Sequence, residues 1–313
     1  MKPEVDVKIL VTGGAGFIGS HIADAFISQG HDVVIVDNLE TGNFENVNKK
    51  AAFYLLDIRS KEMEKVFQME QIDVVCHQAA QMDVRRSVRD PLFDADVNVK
   101  GTLNLLQNAV KYNVKRVLFA STGGAIYGEQ DTFPCDETHP TRPVSPYGIT
   151  KLSVEKYLFF YADTYGLPYT VFRYANVYGP RQNPHGEAGV VAIFSEKLLN
   201  GEQPVINGDG RQTRDYVFVG DVVRANLAGL NAPENETFNI GTGIETDVNR
   251  IFDLINAETG AKAKEEHGPS KPGEQQRSVI SAEKAQSVLG WTPSVSLENG
   301  IKQTVEFFKQ KKQ

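Results

Sequence analysis

Thr12-Gly-Gly-Ala-Gly-Phe-Ile-Gly19 restricts the fold of this chain more than any other stretch. The short β-branched run Val7–Val11 leads into it, and a helix-like stretch, His21–Gln29, leads away from it. Gly14, Gly16 and Gly19 fit the pattern G-x-G-x-x-G, while Gly13, Gly16 and Gly19 fit a wider three-glycine spacing. Glycines so placed permit a tight turn and let the backbone approach a pyrophosphate, which then rests at the helix N-terminus. The pattern alone is weak. A strand before it and an amphipathic helix after it give it weight.

Short β-branched runs alternate with helical patterns through the first half. Strands are predicted at Val7–Val11, Val33–Val36, Ala52–Leu56, Val74–His77, Val117–Ala120 and Tyr169–Arg173. Helices are predicted near His21–Gln29, Lys61–Gln68, Asp94–Tyr112 and Tyr147–Tyr165. Such alternation calls for an α/β fold, a doubly wound parallel sheet of Rossmann type with helices on both faces. After Arg173 loops dominate, at Gly179–Gly189 and Asn207–Arg214. A dinucleotide-binding domain is therefore expected over residues 1–175 and a smaller mixed α/β lobe over 176–313. The strand-like Tyr216–Val219 and Phe238–Ile240, within 216–241, are expected to return to the first domain.

Asp37 ends the second predicted strand. A carboxylate there accepts both ribose hydroxyls of a dinucleotide and repels the extra phosphate of NADP. No Arg or Lys stands in Asn38–Asn43 to offset that repulsion, so NAD is the expected cofactor. Asp57-Ile58, after the third strand, reads as an adenine contact or else as a turn or capping pair.

At 313 residues, 41% hydrophobic and 23% charged, the chain can bury a substantial core in two lobes. Its net charge of -7 argues against a nucleic-acid face, and Lys309-Lys311-Lys312 reads as a solvated helix end. Cys76 and Cys135 are too few for a disulfide framework or a Cys-based zinc site, which fits a reducing compartment, the cytoplasm. No run approaches the ~20 apolar residues of a membrane span, and the acidic N-terminal stretch lacks a signal peptide's apolar segment. His77 has no second His or acid at ligand spacing, so it reads as a buried, hydrogen-bonded histidine and no metal is expected.

Tyr147-Gly-Ile-Thr-Lys151 places a Tyr and a Lys four residues apart, on one face of a helix. A phenol ionises near about pH 10, and a neighbouring ammonium favours the phenolate. The product is an acid/base group able to work on a sugar hydroxyl. Y-x-x-x-K also arises by chance on surface helices. The glycine turn upstream and the hydroxyl pair Ser121-Thr122 after a strand give it meaning.

Further stretches join these: His77-Gln-Ala-Ala80, Asn98-Val-Lys-Gly-Thr102, Ser121–Gly128, Arg173–Gln182, Gly208–Asp221 and Asn239–Gly243. Across nearly its full length the sequence resembles the extended branch of the short-chain dehydrogenase/reductase family and, within it, the UDP-glucose (UDP-galactose) 4-epimerases. The resemblance implies an isomerase that inverts C4 of a UDP-sugar with NAD, through a 4-keto intermediate. It implies a homodimer built on the helices near Asp94–Tyr112 and Tyr147–Tyr165. Leu103, Leu106, Leu158 and Phe159 read either as its seam or as core.

In this reading Tyr147 is the acid/base and Lys151 its partner. Counting from Phe119 makes Thr122 the third catalytic hydroxyl, with Ser121 as the alternative; counting back from Tyr127 reaches Gly123, which has no proton to relay. The resemblance implies NAD contacts at Gly13, Gly16, Phe17, Ile18, Gly19, Asp37, Asn38, Asp57, Ile58, Gln78, Ala79, Ala80, Asn98, Ser121, Tyr147, Lys151 and Tyr174. It implies substrate contacts at Gln81, Thr122, Gly123, Tyr147, Asn176, Val190, Val191, Arg214, Lys271, Glu274 and Ser278. Arg214 suits a diphosphate, to which a guanidinium donates bidentately. Asn98 and the pair Val190-Val191 read equally well as buried structural residues.

Two departures stand out. Where many relatives carry Arg-x-Gly-Asp, this chain has Lys271-Pro-Gly-Glu274, a point charge in place of a fork. Ser278 stands where some relatives place a bulky Tyr, so UDP-GlcNAc and UDP-GalNAc are expected to fit as well. Gly123-Gly124 after Thr122 lacks the Asp-Glu pair of 4,6-dehydratases. UDP-uronate epimerases and decarboxylases remain as alternatives. The intact Tyr147–Lys151 pair argues against a non-catalytic NAD-responsive binding protein.

Overall fold

The computed structural model describes residues 7–185, 189–270 and 275–312. In chain order its strands are β1 (Lys8–Thr12), β2 (Asp32–Asp37), β3 (Ala52–Leu55), β4 (Val74–His77), β5 (Arg116–Thr122), β6 (Tyr169–Tyr174), β7 (Asn176–Tyr178), β8 (Ile206–Asn207), β9 (Thr213–Phe218), β10 (Glu236–Ile240), β11 (Glu245–Asp247), β12 (His267–Gly268) and β13 (Arg277–Ser278). Seven of them form one parallel sheet in the order β10-β6-β5-β4-β1-β2-β3. Ile9 sits opposite Val33 on one side and Val74 on the other. Every residue of β4 and β6 is buried, as expected of strands covered by helices on both faces. Phe67, Leu105, Leu106, Phe119, Val154 and Leu158 join the strands in one apolar core.

The chain runs outward from β1 through β2 to β3, then returns to place β4 on the other side of β1. That reversal opens a crevice at the carboxyl ends of β1 and β4, where open α/β sheets bind their ligands.

Contacts gather the chain into two compact units. The first comprises the described part of Met1–Thr122 with Pro143–Phe172 and Val223–Phe238; the second comprises Gly123–Arg142, Arg173–Val222 and the described part of Asn239–Gln313. In the second, β9 is central: β7 and β13 pair with it in parallel and β11 antiparallel. The helices Val190–Leu199, Val248–Thr259 and Leu297–Lys311 pack on one another there.

Three expectations are corrected. Phe238–Ile240 joins the large sheet within β10, but Tyr216–Val219 does not, because β9 finds its partners in the small sheet. Residues 123–142 pack with the second unit although they precede the predicted boundary. The single helix predicted over Asp94–Tyr112 is three pieces: Pro91–Ala95, a wider π-type turn over Asp96–Lys100, and Gly101–Lys111. The wide turn carries Asn98, and such turns recur at functional sites.

Candidate active site

The glycine turn is built for close approach. Gly13 has φ of +71°, and a Cβ there would lie 2.7 Å from the Ala79 nitrogen; one at Gly19 would lie 2.2 Å from the Gly13 oxygen. Gly16 precedes the helix Phe17–Ser28 with no side-chain cap, which leaves its first N–H groups pointing into the turn. Asp37 accepts the Ala15 N–H at 3.0 Å and the Leu39 N–H at 2.8 Å. Burial raises its pKa and those two donors oppose the rise. A bare-backbone cradle beside a fixed carboxylate fits the pyrophosphate and ribose of NAD.

Asn38 donates to Asp57 at 3.0 Å, and Asp57 also accepts from the Arg59 backbone and guanidinium. Arg59 thereby holds the Asp57 carboxyl down at about 2. Asp57 is thus a turn-forming residue in the structure. Ile58 belongs to the core and packs where a Cβ on Gly101 would fall.

A buried polar chain lies behind the turn. His77 bridges Thr12 Oγ1 at 2.7 Å and Thr102 Oγ1 at 2.8 Å, and burial keeps it neutral, with its pKa lowered to about 3. Thr102 donates to the Asn98 carbonyl. Asn98 accepts the Gln81 N–H at 2.8 Å and donates to the Gln81 carbonyl and to Asp94. The Gln81 amide donates to Asp94 and to the Asp83 carbonyl, so its side chain serves this network. Gln78 donates to Asn226, and Ala79 N–H to Thr12 Oγ1. Ala80 follows them in the same half-buried loop.

The helix Pro146–Tyr165 carries the Tyr–Lys pair. Ser145 caps it by accepting the Gly148 N–H at 3.2 Å, Pro146 occupies its first turn, and Gly166 ends it in the left-handed region. Lys151 Nζ donates to the Ala120 carbonyl at 2.8 Å and lies 5.9 Å from the centre of the Tyr147 ring. Burial pulls the Lys151 ammonium down to about 8, while Asp94 and Glu155 oppose the fall. At the end of β5, Ser121 Oγ donates to Glu155 at 2.6 Å. Thr122 is half-buried and its hydroxyl makes no hydrogen bond among the described residues. Of the two candidate hydroxyls, Ser121 is committed to the helix and Thr122 is open.

In the second unit the small sheet gathers residues far apart in sequence. Ser278 pairs with Arg214 in register, and Asn176 pairs with Tyr216, two residues further along β9. Asp215, beside Arg214, is buried and accepts from Thr242 N and Oγ1, Gly243 N and Ile280 N. Ile280 explains Gly123: a Cβ there would lie 2.6 Å from Ile280 Cδ1. Tyr174 is buried. Val191 is core and Val190 is half-buried at the start of its helix. Lys271 and Glu274 lie outside the described residues.

Sequence reading missed Asp94, Glu155 and Asp215. Glu155 alone carried a signal, since it follows Lys151 at the same spacing by which Lys151 follows Tyr147. Among the described residues no three His, Cys, Asp or Glu side chains cluster to hold a metal, and no helix is long and apolar enough to cross a membrane.

A two-unit α/β chain with a glycine cradle and a Tyr–Lys helix defines a nucleotide-dependent enzyme class. Residues 9–241 match the NAD dependent epimerase/dehydratase family, and the chain belongs to it. It is similar to the crystal structure of UDP-glucose 4-epimerase from Thermotoga maritima with UDP-glucose: 52% identity, TM-score 0.96, covering 98% of this chain and 100% of that one. A Thermus thermophilus UDP-glucose 4-epimerase complex with NAD shares 44% identity, with TM-score 0.92, over 96% of this chain and 99% of that one. A UDP-N-acetylglucosamine 4-epimerase from Methanobrevibacter ruminantium, in complex with UDP-N-acetylmuramic acid, shares 34% identity, with TM-score 0.92, over 98% and 99%.

Proposed function

We propose that this chain interconverts UDP-glucose and UDP-galactose by inversion at C4, with NAD as a resident cofactor. The observation that carries the reading is the docking of the Tyr147–Lys151 helix on the end of β5, where Lys151 grips the Ala120 carbonyl two residues before the open hydroxyl of Thr122.

Backbone N–H groups around Gly13, Gly16 and Gly19 would hold the pyrophosphate, Asp37 the adenosine ribose, and Lys151 the nicotinamide ribose. NAD, when bound, supplies the oxidising and then the reducing equivalent at the sugar carbon. Tyr147 Oη takes the proton of the C4 hydroxyl and later returns it. The Lys151 ammonium stabilises the tyrosyl oxygen while it carries charge. Thr122 Oγ1 orients the C4 hydroxyl and passes its proton. Arg214 grips the diphosphate so that the sugar turns while its UDP anchor stays.

Ser278 is small and lies opposite Arg214, which supports acceptance of UDP-GlcNAc and UDP-GalNAc as well. Both cysteines are free thiols, which supports a cytoplasmic setting. A homodimer is supported by Ile149, Phe159, Phe160 and Tyr165, apolar residues exposed along the helix Pro146–Tyr165; Leu106 and Leu158 are core and would not contribute. The decisive test is incubation of the purified chain with UDP-galactose and no added NAD. Formation of UDP-glucose is expected, and no conversion with or without added NAD overturns the reading.

A further inference from the structure

Tyr147, Lys151 and Glu155 follow one another at intervals of about one turn along the helix Pro146–Tyr165, so their side chains share a face. Lys151 is 4% exposed and Glu155 8%. Two successive residues of β5 meet that face: the Ala120 carbonyl accepts from Lys151 and Ser121 Oγ donates to Glu155. The serine needs only an acceptor, which a glutamine supplies equally well. A carboxylate adds a negative charge, and a buried negative charge is stable only beside a positive one.

The groups around Lys151 narrow its counter-charges to two. Asp94, on Pro91–Ala95, shares its charge among Gln81, Asn98 and Thr150, each of which donates to it. His77, on β4, is kept neutral by its burial. Tyr147 lies one turn before Lys151 on the same helix, and Tyr169, on β6, interacts with Glu155. The Phe119 ring, 4.8 Å away, adds a weak attraction for the ammonium. Burial alone drives a lysine towards its neutral form, and the negative charges that oppose this are Asp94 and Glu155.

We infer that Glu155 is a positioning residue that works through Lys151: its buried carboxylate keeps the ammonium charged through the neutral range and so keeps Tyr147 competent to hold and release a proton. The inference deepens the acid/base reading given above and rests on it.

Two substitutions separate charge from hydrogen bond. Glu155→Gln keeps the acceptor for Ser121 and removes the charge, whereas Ser121→Ala removes the bond and keeps the charge. In protein labelled with 13C-lysine, the Cε resonance of Lys151, assigned by its loss in Lys151→Arg, is titrated with pH. In Glu155→Gln the midpoint falls by about one pH unit, the usual effect of losing a nearby opposite charge. The alkaline limb of kcat for UDP-galactose moves down with it. In Ser121→Ala the midpoint stays within a few tenths of a unit of the parent, a shift too small for a lost charge. An unmoved midpoint in Glu155→Gln, or an equal fall in Ser121→Ala, overturns the inference. If Glu155→Gln does not fold, Glu155→Asp decides, because it draws the carboxylate back from Lys151 by one methylene: a lowered midpoint upholds the inference and an unmoved one overturns it. The titration needs no turnover, so a chain without epimerase activity would sink the reaction and leave this test intact.

Discussion

The Tyr–Lys helix and the small sheet around β9 achieve placement in opposite ways. Tyr147 and Lys151 sit about one turn apart on one helix, and hydrogen bonds to Ala120, Ser87 and the Asn98 network fix that helix. Asn176, Arg214 and Ser278 come from three strands, brought into register only when the small sheet forms. In the proposed reaction, local spacing would place the proton chemistry and strand pairing the grip on the substrate. Substitutions in the first region should therefore act on kcat, and in the second on KM and on the choice of sugar.

The largest effect is expected at Tyr147. Tyr147→Phe should retain fold and NAD and lose about 10²–10⁴-fold in kcat, the usual contribution of an acid/base group. Steady-state assays on UDP-galactose check it, and near-parental turnover would remove the phenol from the mechanism. Arg214→Ala should lower kcat/KM by roughly 10–100-fold, mostly through KM, as expected when a charge-assisted hydrogen bond to phosphate is lost. Were kcat to fall with KM unchanged, the contrast between the two regions would break down.

Ser278→Tyr sharpens the same contrast. It should suppress turnover of UDP-GlcNAc and UDP-GalNAc by about 10-fold or more while UDP-glucose keeps most of its rate, a difference of the size that pocket shape supplies. Competition assays with all four sugars read it directly. The smallest effect concerns pH. Burial pulls the Lys151 ammonium down to about 8, so its charge should be present below that value and lost above it. The rate should hold at neutral pH and decline as pH rises through about 8; a flat profile up to the ordinary lysine range would show that the ammonium is not needed.

Part of the fold and of the candidate site was legible in the sequence. The glycine turn, Asp37 and the spacing of Tyr147 and Lys151 are short-range patterns whose geometry a strand or a helix dictates. The strand-like runs Phe238–Ile240 and Tyr216–Val219 look alike in the sequence, yet β10 joins the large sheet and β9 the small one, because a β-branched run suits whichever sheet accepts it. Asp215 gave no warning: its partners Thr242, Gly243 and Ile280 lie at least 27 residues away.

Sequence by itself determined that a parallel sheet would present a glycine turn and a helix bearing Tyr147 and Lys151 on one face, since both follow from backbone geometry over a few residues. Folding decided which of two adjacent hydroxyls is free. Ser121 and Thr122 are chemically near-equivalent in the chain, yet strand alternation turns Ser121 towards Glu155, and only the packed helix makes that difference.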